Sequence, residues 1–427
     1  MKSPLWLLLL AGTASADITV PSNTPPAARP VAESEAALAG YELPAVLSAA
    51  RLLGQTAAGP AYRVREQVLT DGYMAHFTID SDYGEFQCIG TPQAQARIRE
   101  MDAIGKLMAV SKSDLFAEAV KRSIEQPIDA VKNIVKNPVD SVKAVPKTVG
   151  HFFKKVGTSV GNAAANLRDR SEGGGESGTG TNFSGAAKGV IGFDSAKLEC
   201  AKQLGVDPYT DNARLQDEIE KVAWVFFSGG LPLRIGAAVA SGGASVALTA
   251  TKVVGLPEEI YALTPGELNL RNQQAMEAMG VRESTVRKFL GNEALSITLR
   301  RSIIRSLQAL GDVKGRAAVI EVAAACDMRR QVEFLDQALA LLVQHHTSGQ
   351  AACVALEVLG RLPGALDAAG VLHIPAPVDY LSWTLEVAEF AQRDDLVGRK
   401  PVLLLAGGAS ERTRSELATL GWTLAVP

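Results

Sequence analysis

Pro401-Val402-Leu403-Leu404-Leu405-Ala406-Gly407-Gly408-Ala409-Ser410 is a short apolar run that breaks at two glycines and ends on a helix-capping residue. Such a run reads as a strand that meets a helix N-terminus. Outward from it, Val371-Leu372-His373-Ile374 is a strand candidate and Val378–Gln392 a helix. Downstream, Ser410–Leu420 reads as a second helix and Trp422-Thr423-Leu424-Ala425-Val426 as a third strand. This βαβαβ order predicts a small parallel sheet with right-handed crossovers. Gly407, Gly408 and Ser410 fall where a strand meets a helix N-terminus, so with nearby Asp379 they are candidates for binding an anion or small ligand. The alternative is purely local: glycines permitting a tight turn, with Ser410 capping the helix. No Gly-x-Gly-x-x-Gly or Gly-x-Ser-x-Gly pattern accompanies them, so neither a dinucleotide fold nor a hydrolase elbow is supported.

A second β pattern lies near the other end. Tyr62–Val68 and Tyr73–Ile79 flank Asp71-Gly72, a hairpin signal, and the turn Asp80–Gly84 leads into Glu85–Ile89. These predict a three-stranded meander, preceded by a short helix over Leu43–Leu53 and covered by a helix over Arg97–Val110. His76 in the middle strand reads as structural.

Between 121 and 160, Pro127-Ile128-Asp129-Ala130-Val131-Lys132 recurs eleven residues later as Pro138-Val139-Asp140-Ser141-Val142-Lys143. Eleven residues are nearly three helical turns, so equivalent positions share a face. The segment holds eight basic residues against three acidic ones. Lys132, Lys136, Lys143, Lys154 and Lys155, beside the apolar Val142, Phe152 and Phe153, are candidates for contact with an anionic membrane surface or a protein partner. Helices wrapped on a neighbouring domain, their lysines in solvent, are the other reading. Asn137–Val149 and Leu204-Gly205-Val206-Asp207-Pro208-Tyr209 resemble segments of a group of exported proteobacterial proteins. The resemblance implies an envelope protein and supplies no reaction, ligand or active-site residue.

Export is also read from the N-terminus: Lys2, the apolar Leu5–Leu10, and Ala14-Ser15-Ala16 have the layout of a signal peptide cut before Asp17. The apolar run is too short for a membrane span, which needs about 20 residues. In an oxidising compartment Cys88, Cys200, Cys326 and Cys353 could pair in three ways. A Cys326–Cys353 bridge is one candidate, both residues falling in stretches read as helical; buried free thiols are the other reading. No zinc, redox or cofactor motif is present, and His345-His346 reads as favourable charge at a helix end rather than as metal ligands. A net charge of −3 argues against a dedicated nucleic-acid binder.

The remaining chain, from Ala196, reads as helices. Leu231–Leu256 is rich in Ala and Gly but weakly hydrophobic, so a buried helix pair is favoured over a membrane hairpin. The expectation is therefore an α+β protein, predominantly helical, in successive parts. These are a signal peptide (1–16), a tether (17–42), a small domain with the β-meander (43–115) and basic amphipathic helices (116–165). A Gly/Ser-rich linker (166–190), a helical array (191–348) and a C-terminal βαβαβ unit (349–427) complete it. The functional expectation is a non-enzymatic protein of the Gram-negative envelope, with no cofactor; the alternative is a ligand-binding protein or enzyme with its site near Gly407 and Ser410.

Overall fold

The computed structural model describes residues 40–125, 183–235, 256–349 and 352–425. The signal peptide, most of the tether, the 11-residue repeat with its lysines, the Gly/Ser linker up to residue 182 and most of the Ala/Gly-rich interval lie outside the described residues; residues 183–190, expected as linker, instead open the helix Phe183–Leu204. The fold is α+β and predominantly helical, with thirteen helices among the described residues.

The N-terminal sheet has six strands: β1 Val46–Ser48, β2 Ala58–Gly59, β3 Tyr62–Val64, β4 Gln67–Thr70, β5 Ala75–Ser81 and β6 Gly84–Ile89. All pairings are antiparallel. Alternation drives β5: Ala75, Phe77 and Ile79 are buried while His76 and Asp80 face out. The expected helix over Leu43–Leu53 is only half helix. Val46–Ser48 pairs with β4 as a strand, and α1 (Ala49–Leu53) starts where Ser48 accepts a hydrogen bond from the Arg51 N–H. The meander is thus extended by strands whose short, unpatterned sequences gave no signal.

Helix α2 (Thr91–Val110) joins two cores. Ala94, Ile98 and Met101 pack under the sheet, whereas Ala103, Ile104, Leu107 and Val110 pack with α3 (Asp114–Glu125), α4 (Phe183–Leu204) and α5 (Ala213–Ser228). A helical array follows: α6 (Glu259–Ala262), α7 (Pro265–Ala278), α8 (Glu283–Gly291), α9 (Ile297–Ala309), α10 (Arg316–Ala325) and α11 (Arg329–Thr347). Its starts are written in the sequence: Thr264 and Glu267 form a reciprocal capping box around Pro265, and Ser296 caps α9.

The C-terminal sheet has five strands in the order β13-β11-β9-β8-β7: β7 Cys353–Leu359, β8 Leu362–Asp367, β9 Leu372–Ala376, β11 Val402–Leu405 and β13 Thr423–Ala425. β9, β11 and β13 are parallel, as expected; β7 and β8 add an antiparallel hairpin. Leu404 turns into the core built with the helical array, while Leu403 and Leu405 enter the core built with α12 (Leu385–Ala391) and α13 (Glu411–Thr419). Two expectations change here. Val378–Gln392 is helical only over α12, because the preceding residues stay extended through β10 (Tyr380–Leu381), which pairs with β12 (Gly408–Ala409). Cys353 lies on a strand, not a helix.

The loop between α4 and α5 anchors the halves of the chain to each other. Arg97 on α2 bonds Glu100 at 2.7 Å and Asp211 at 2.6 Å, and Arg329 on α11 bonds Glu333 at 2.8 Å and lies 3.6 Å from Asp211. Asn212 donates to Glu100 at 2.9 Å, and Thr298 on α9 donates to Asp207 at 2.6 Å. Farther along α11, burial pushes the Asp336 carboxyl up to about 6, against the hydrogen bond from Ser302 that favours its charged form.

A folded-state pKa above the unfolded one means that Asp336 is tolerated best when protonated. Its contribution is intact below the unfolded value near 3.9 and is lost as pH rises through about 6. Asp336→Asn is expected to exceed wild type by about 1–3 kcal/mol at pH 8 and to lose that advantage toward pH 4. Urea denaturation at the two pH values measures it; a difference that does not change with pH refutes the assignment.

Candidate ligand-binding cleft

The parallel strands β9 and β11 end side by side, and the chain leaves them through Pro377–Tyr380 and Ala406–Gly408. The two segments touch. A Cβ on Gly407 would lie 2.1 Å from the Asp379 carbonyl oxygen and 2.4 Å from that of Val378, so only glycine fits. The Gly408 N–H donates to the Asp379 carbonyl at 3.0 Å, which starts the β10–β12 pair. The glycine pair is therefore used for backbone contact with the neighbouring strand connection.

Asp379 is likewise engaged. Its carboxylate accepts the Ala75 N–H of β5 at 2.8 Å and the Thr91 N–H of α2 at 2.9 Å. Gly90, at the N-cap of α2, has no side chain to offer, so a residue 288 positions away caps the helix instead. The main chain adds to the joint: the Asp379 and Tyr380 N–H groups donate to the Tyr73 carbonyl, and that of Ser382 to Gly72.

Ser410 faces elsewhere. Its hydroxyl oxygen accepts the Thr413 N–H at 3.0 Å, capping α13, and its proton goes to the Glu42 carboxylate, which also accepts the Trp383 N–H at 2.6 Å. Of the three sequence candidates, Gly407 and Gly408 line a cleft and Ser410 does not.

That cleft has a volume of about 510 Å³. One wall is the end of the C-terminal sheet, from Pro377–Tyr380 and Ala406–Gly408. The second comes from Leu47, Arg51 and Leu52, with Thr91 and Pro92 at the start of α2. The third is the face of α11 that carries Gln337, Ala340, Leu341 and Gln344. The charged residues of the lining are Arg51 and Asp379. The Arg51 guanidinium sits 5.2 Å from the centre of the Tyr380 ring and has no carboxylate partner among the described residues. The chain matches no family model, no curated protein and no solved structure.

Sequence reading missed Arg51, Gln337 and Gln344. Arg51 reaches the cleft only because the N-terminal sheet docks on the C-terminal unit, which no local pattern announces. A weaker signal existed on α11: positions 337, 340, 341 and 344 recur at helical spacing as a mixed polar–apolar face, unlike the fully apolar one of Leu335, Leu339 and Leu342.

The cysteines are all buried and free, so the Cys326–Cys353 bridge is not formed. Both belong to one core, but each thiol is turned to its own backbone: Cys326 Sγ to the Val322 carbonyl and Cys353 Sγ to that of Ala355, each at 3.4 Å. The histidine pair also divides. His346 Nδ1 accepts the Cys353 N–H at 3.0 Å, whereas His345 packs its ring 4.6 Å from that of His373, whose Nε2 lies 3.1 Å from Asp367. The bond to His373 holds the Asp367 carboxyl below the ordinary carboxylate range. Among the described residues no cluster of three or more His, Cys, Asp or Glu side chains could hold a metal ion.

The Glu42 contact reverses what N-cap preference alone predicts for Ser410. Ser410→Ala removes the cap bond and should cost about 0.5–2 kcal/mol. Ser410→Asp would be a good cap in isolation, yet here it sets a second carboxylate against Glu42 and should be less stable than the alanine variant. Adding Glu42→Gln should restore it. Thermal unfolding of the three variants decides; an aspartate variant as stable as wild type with Glu42 intact refutes the contact.

Proposed function

We propose that this chain is an exported envelope protein that binds a small ligand in this cleft without transforming it. One observation carries the binding reading: a 510 Å³ hollow at the ends of parallel strands, with apolar walls and a few polar side chains, Arg51, Gln337 and Gln344, that make no side-chain hydrogen bond among the described residues. Volumes of roughly 300–1,000 Å³ and this kind of lining are usual for ligand sites, and strand ends are where open α/β sheets bind ligands. Among the described residues of the lining no nucleophile–base–orienter set is assembled, which supports binding over reaction. Export is supported by Lys2, Leu5–Leu10 and Ala14-Ser15-Ala16, and agrees with the resemblance to exported proteobacterial proteins.

Ala340 is exposed on the cleft wall, so Ala340→Trp fills the space while leaving the cores intact. The full chain, expressed in a Gram-negative host, is expected in the periplasmic extract with its N-terminus at Asp17. Native mass spectrometry should find a small bound mass that the tryptophan variant lacks. Protein retaining Met1–Ala16 in the cytoplasm would refute export. Equal unliganded masses for both proteins, with no thermal shift from a cell metabolite extract, would refute the binding role.

In this reading the lysine-rich segment holds the protein at an anionic membrane surface. No helix of the described residues is long and apolar enough to cross a membrane. The support is the alternation of Lys132, Lys136, Lys143, Lys154 and Lys155 with Val142, Phe152 and Phe153. The mature chain should float with anionic vesicles at low salt and be released at high salt, and Val142→Asp with Phe152→Asp should weaken binding. Equal flotation with neutral vesicles would rule out the electrostatic contact.

A further inference from the structure

We propose that the cleft selects a small anionic ligand, a carboxylate or phosphate carrying an apolar body, and that Arg51 is the residue that recognises the charge. The inference rests on the binding reading above and names its ligand class. Four observations lead to it.

The first is the charge left over once the fold has taken its share. Arg51 and Asp379 are the two ionic side chains of the lining. Both oxygens of Asp379 already accept backbone N–H groups, those of Ala75 and Thr91, which offset its charge. Arg51 has no such partner among the described residues. The ionic charge that the fold leaves without a bonding partner in the lining is therefore that of Arg51, an exposed residue open to a ligand.

The second is how that cation is held. Ser48 caps α1 through the Arg51 N–H at 3.1 Å, and the guanidinium lies over the Tyr380 ring at 5.2 Å. This cation–π contact places the guanidinium beside the ring, and no hydrogen-bond acceptor among the described residues takes its N–H donors. A planar fork of donors suits the two oxygens of a carboxylate or phosphate better than an ammonium does.

The third is the geometry of the opposite wall. Gln337 and Gln344 lie two turns apart on α11, with Ala340 and Leu341 between them. Each amide offers donors, and neither side chain has a hydrogen-bonding partner among the described residues. The fourth is the apolar remainder, Leu47, Leu52 and Val378, which suits a hydrocarbon body rather than a bare inorganic ion.

Hexanoate, hexyl phosphate, hexanol and inorganic phosphate, titrated calorimetrically into the mature protein, separate the elements of the proposal. Hexanoate or hexyl phosphate should bind better than hexanol and inorganic phosphate, and the stronger of the two identifies the anion. Arg51→Gln should weaken that binding about 10- to 100-fold, the loss expected for a charge-assisted hydrogen bond. Arg51→Lys should recover part of it. Ala340→Trp should abolish it. Hexanol bound as tightly as the anions, or undiminished affinity in Arg51→Gln, overturns the anion proposal while the cleft reading stands. Anions that bind Ala340→Trp as well as wild type sit elsewhere, which overturns both. No binding of any probe at millimolar concentration overturns the anion class.

Discussion

The carboxylate of Asp379 is the joint on which the rest of this molecule turns. It lies between β9 and β10 of the C-terminal unit, yet both of its bonds leave that unit, one to β5 and one to the first turn of α2. A helix of twenty residues starts at a glycine, and its exposed N–H groups would otherwise face a partly dry interface. A single acid thus satisfies the helix end, fixes the hairpin between β4 and β5, and sets the spacing of the cleft walls. Glu42 repeats the device nearby, accepting from Trp383 and Ser410. Two acids supplied across the joint hold the N-terminal sheet on the C-terminal one.

A second cluster holds the first half of α2. Arg97, Glu100, Asp211, Asn212, Asp207, Thr298 and Arg329 connect α2, the loop after α4, α9 and α11. Buried ion pairs of this kind add little net stability, because desolvation offsets their attraction, but losing one partner strands a charge and is costly. Their effect is positional. α2 is pinned at its start by Asp379 and along its first half by Arg97, so Thr91 and Pro92 are held against the cleft while α11 is held opposite. The segment Leu204–Tyr209, singled out in the sequence for its resemblance to exported proteins, belongs to this cluster: Asp207 is half-buried there, and desolvation raises its carboxyl above the ordinary range even with Thr298 donating to it.

What the sequence made legible were patterns with one face in water or a cap at the end. The alternation within Tyr73–Ile79, which falls mostly in strand Ala75–Ser81, and the strand Val402–Leu405 followed by Ser410 were readable because each is local. The β7–β8 hairpin was not, because a strand with few exposed positions has no period and Cys353–Leu359 looks as apolar as a helix. Its signal was the turn. Leu359 pairs with Leu362, leaving Gly360-Arg361 as a two-residue loop with Gly360 at φ 69°, the arrangement that a hairpin favours. The extended stretch before α12 was hidden for another reason: it is held by Tyr73 and Gly72, some three hundred residues earlier. The cleft inherits that difficulty, since Arg51, Thr91, Gln344 and Tyr380 meet only through long-range docking.

The same docking supports the proposed reading of the cleft as a binding site. A general acid or base must exchange a proton with the bound molecule, and for a carboxylate this requires an oxygen free to face it. The carboxylate in the lining is Asp379, and each of its oxygens ends a backbone hydrogen bond that the fold needs. Protonating it would weaken its acceptance of the Ala75 and Thr91 N–H groups and loosen the start of α2; turning it toward a ligand would leave those donors without their acceptor. Beside Asp379, the polar groups of the described lining include the Arg51 guanidinium, the amides of Gln337 and Gln344 and the hydroxyls of Thr91 and Tyr380, set against an apolar wall, a combination that supports holding and orienting a molecule.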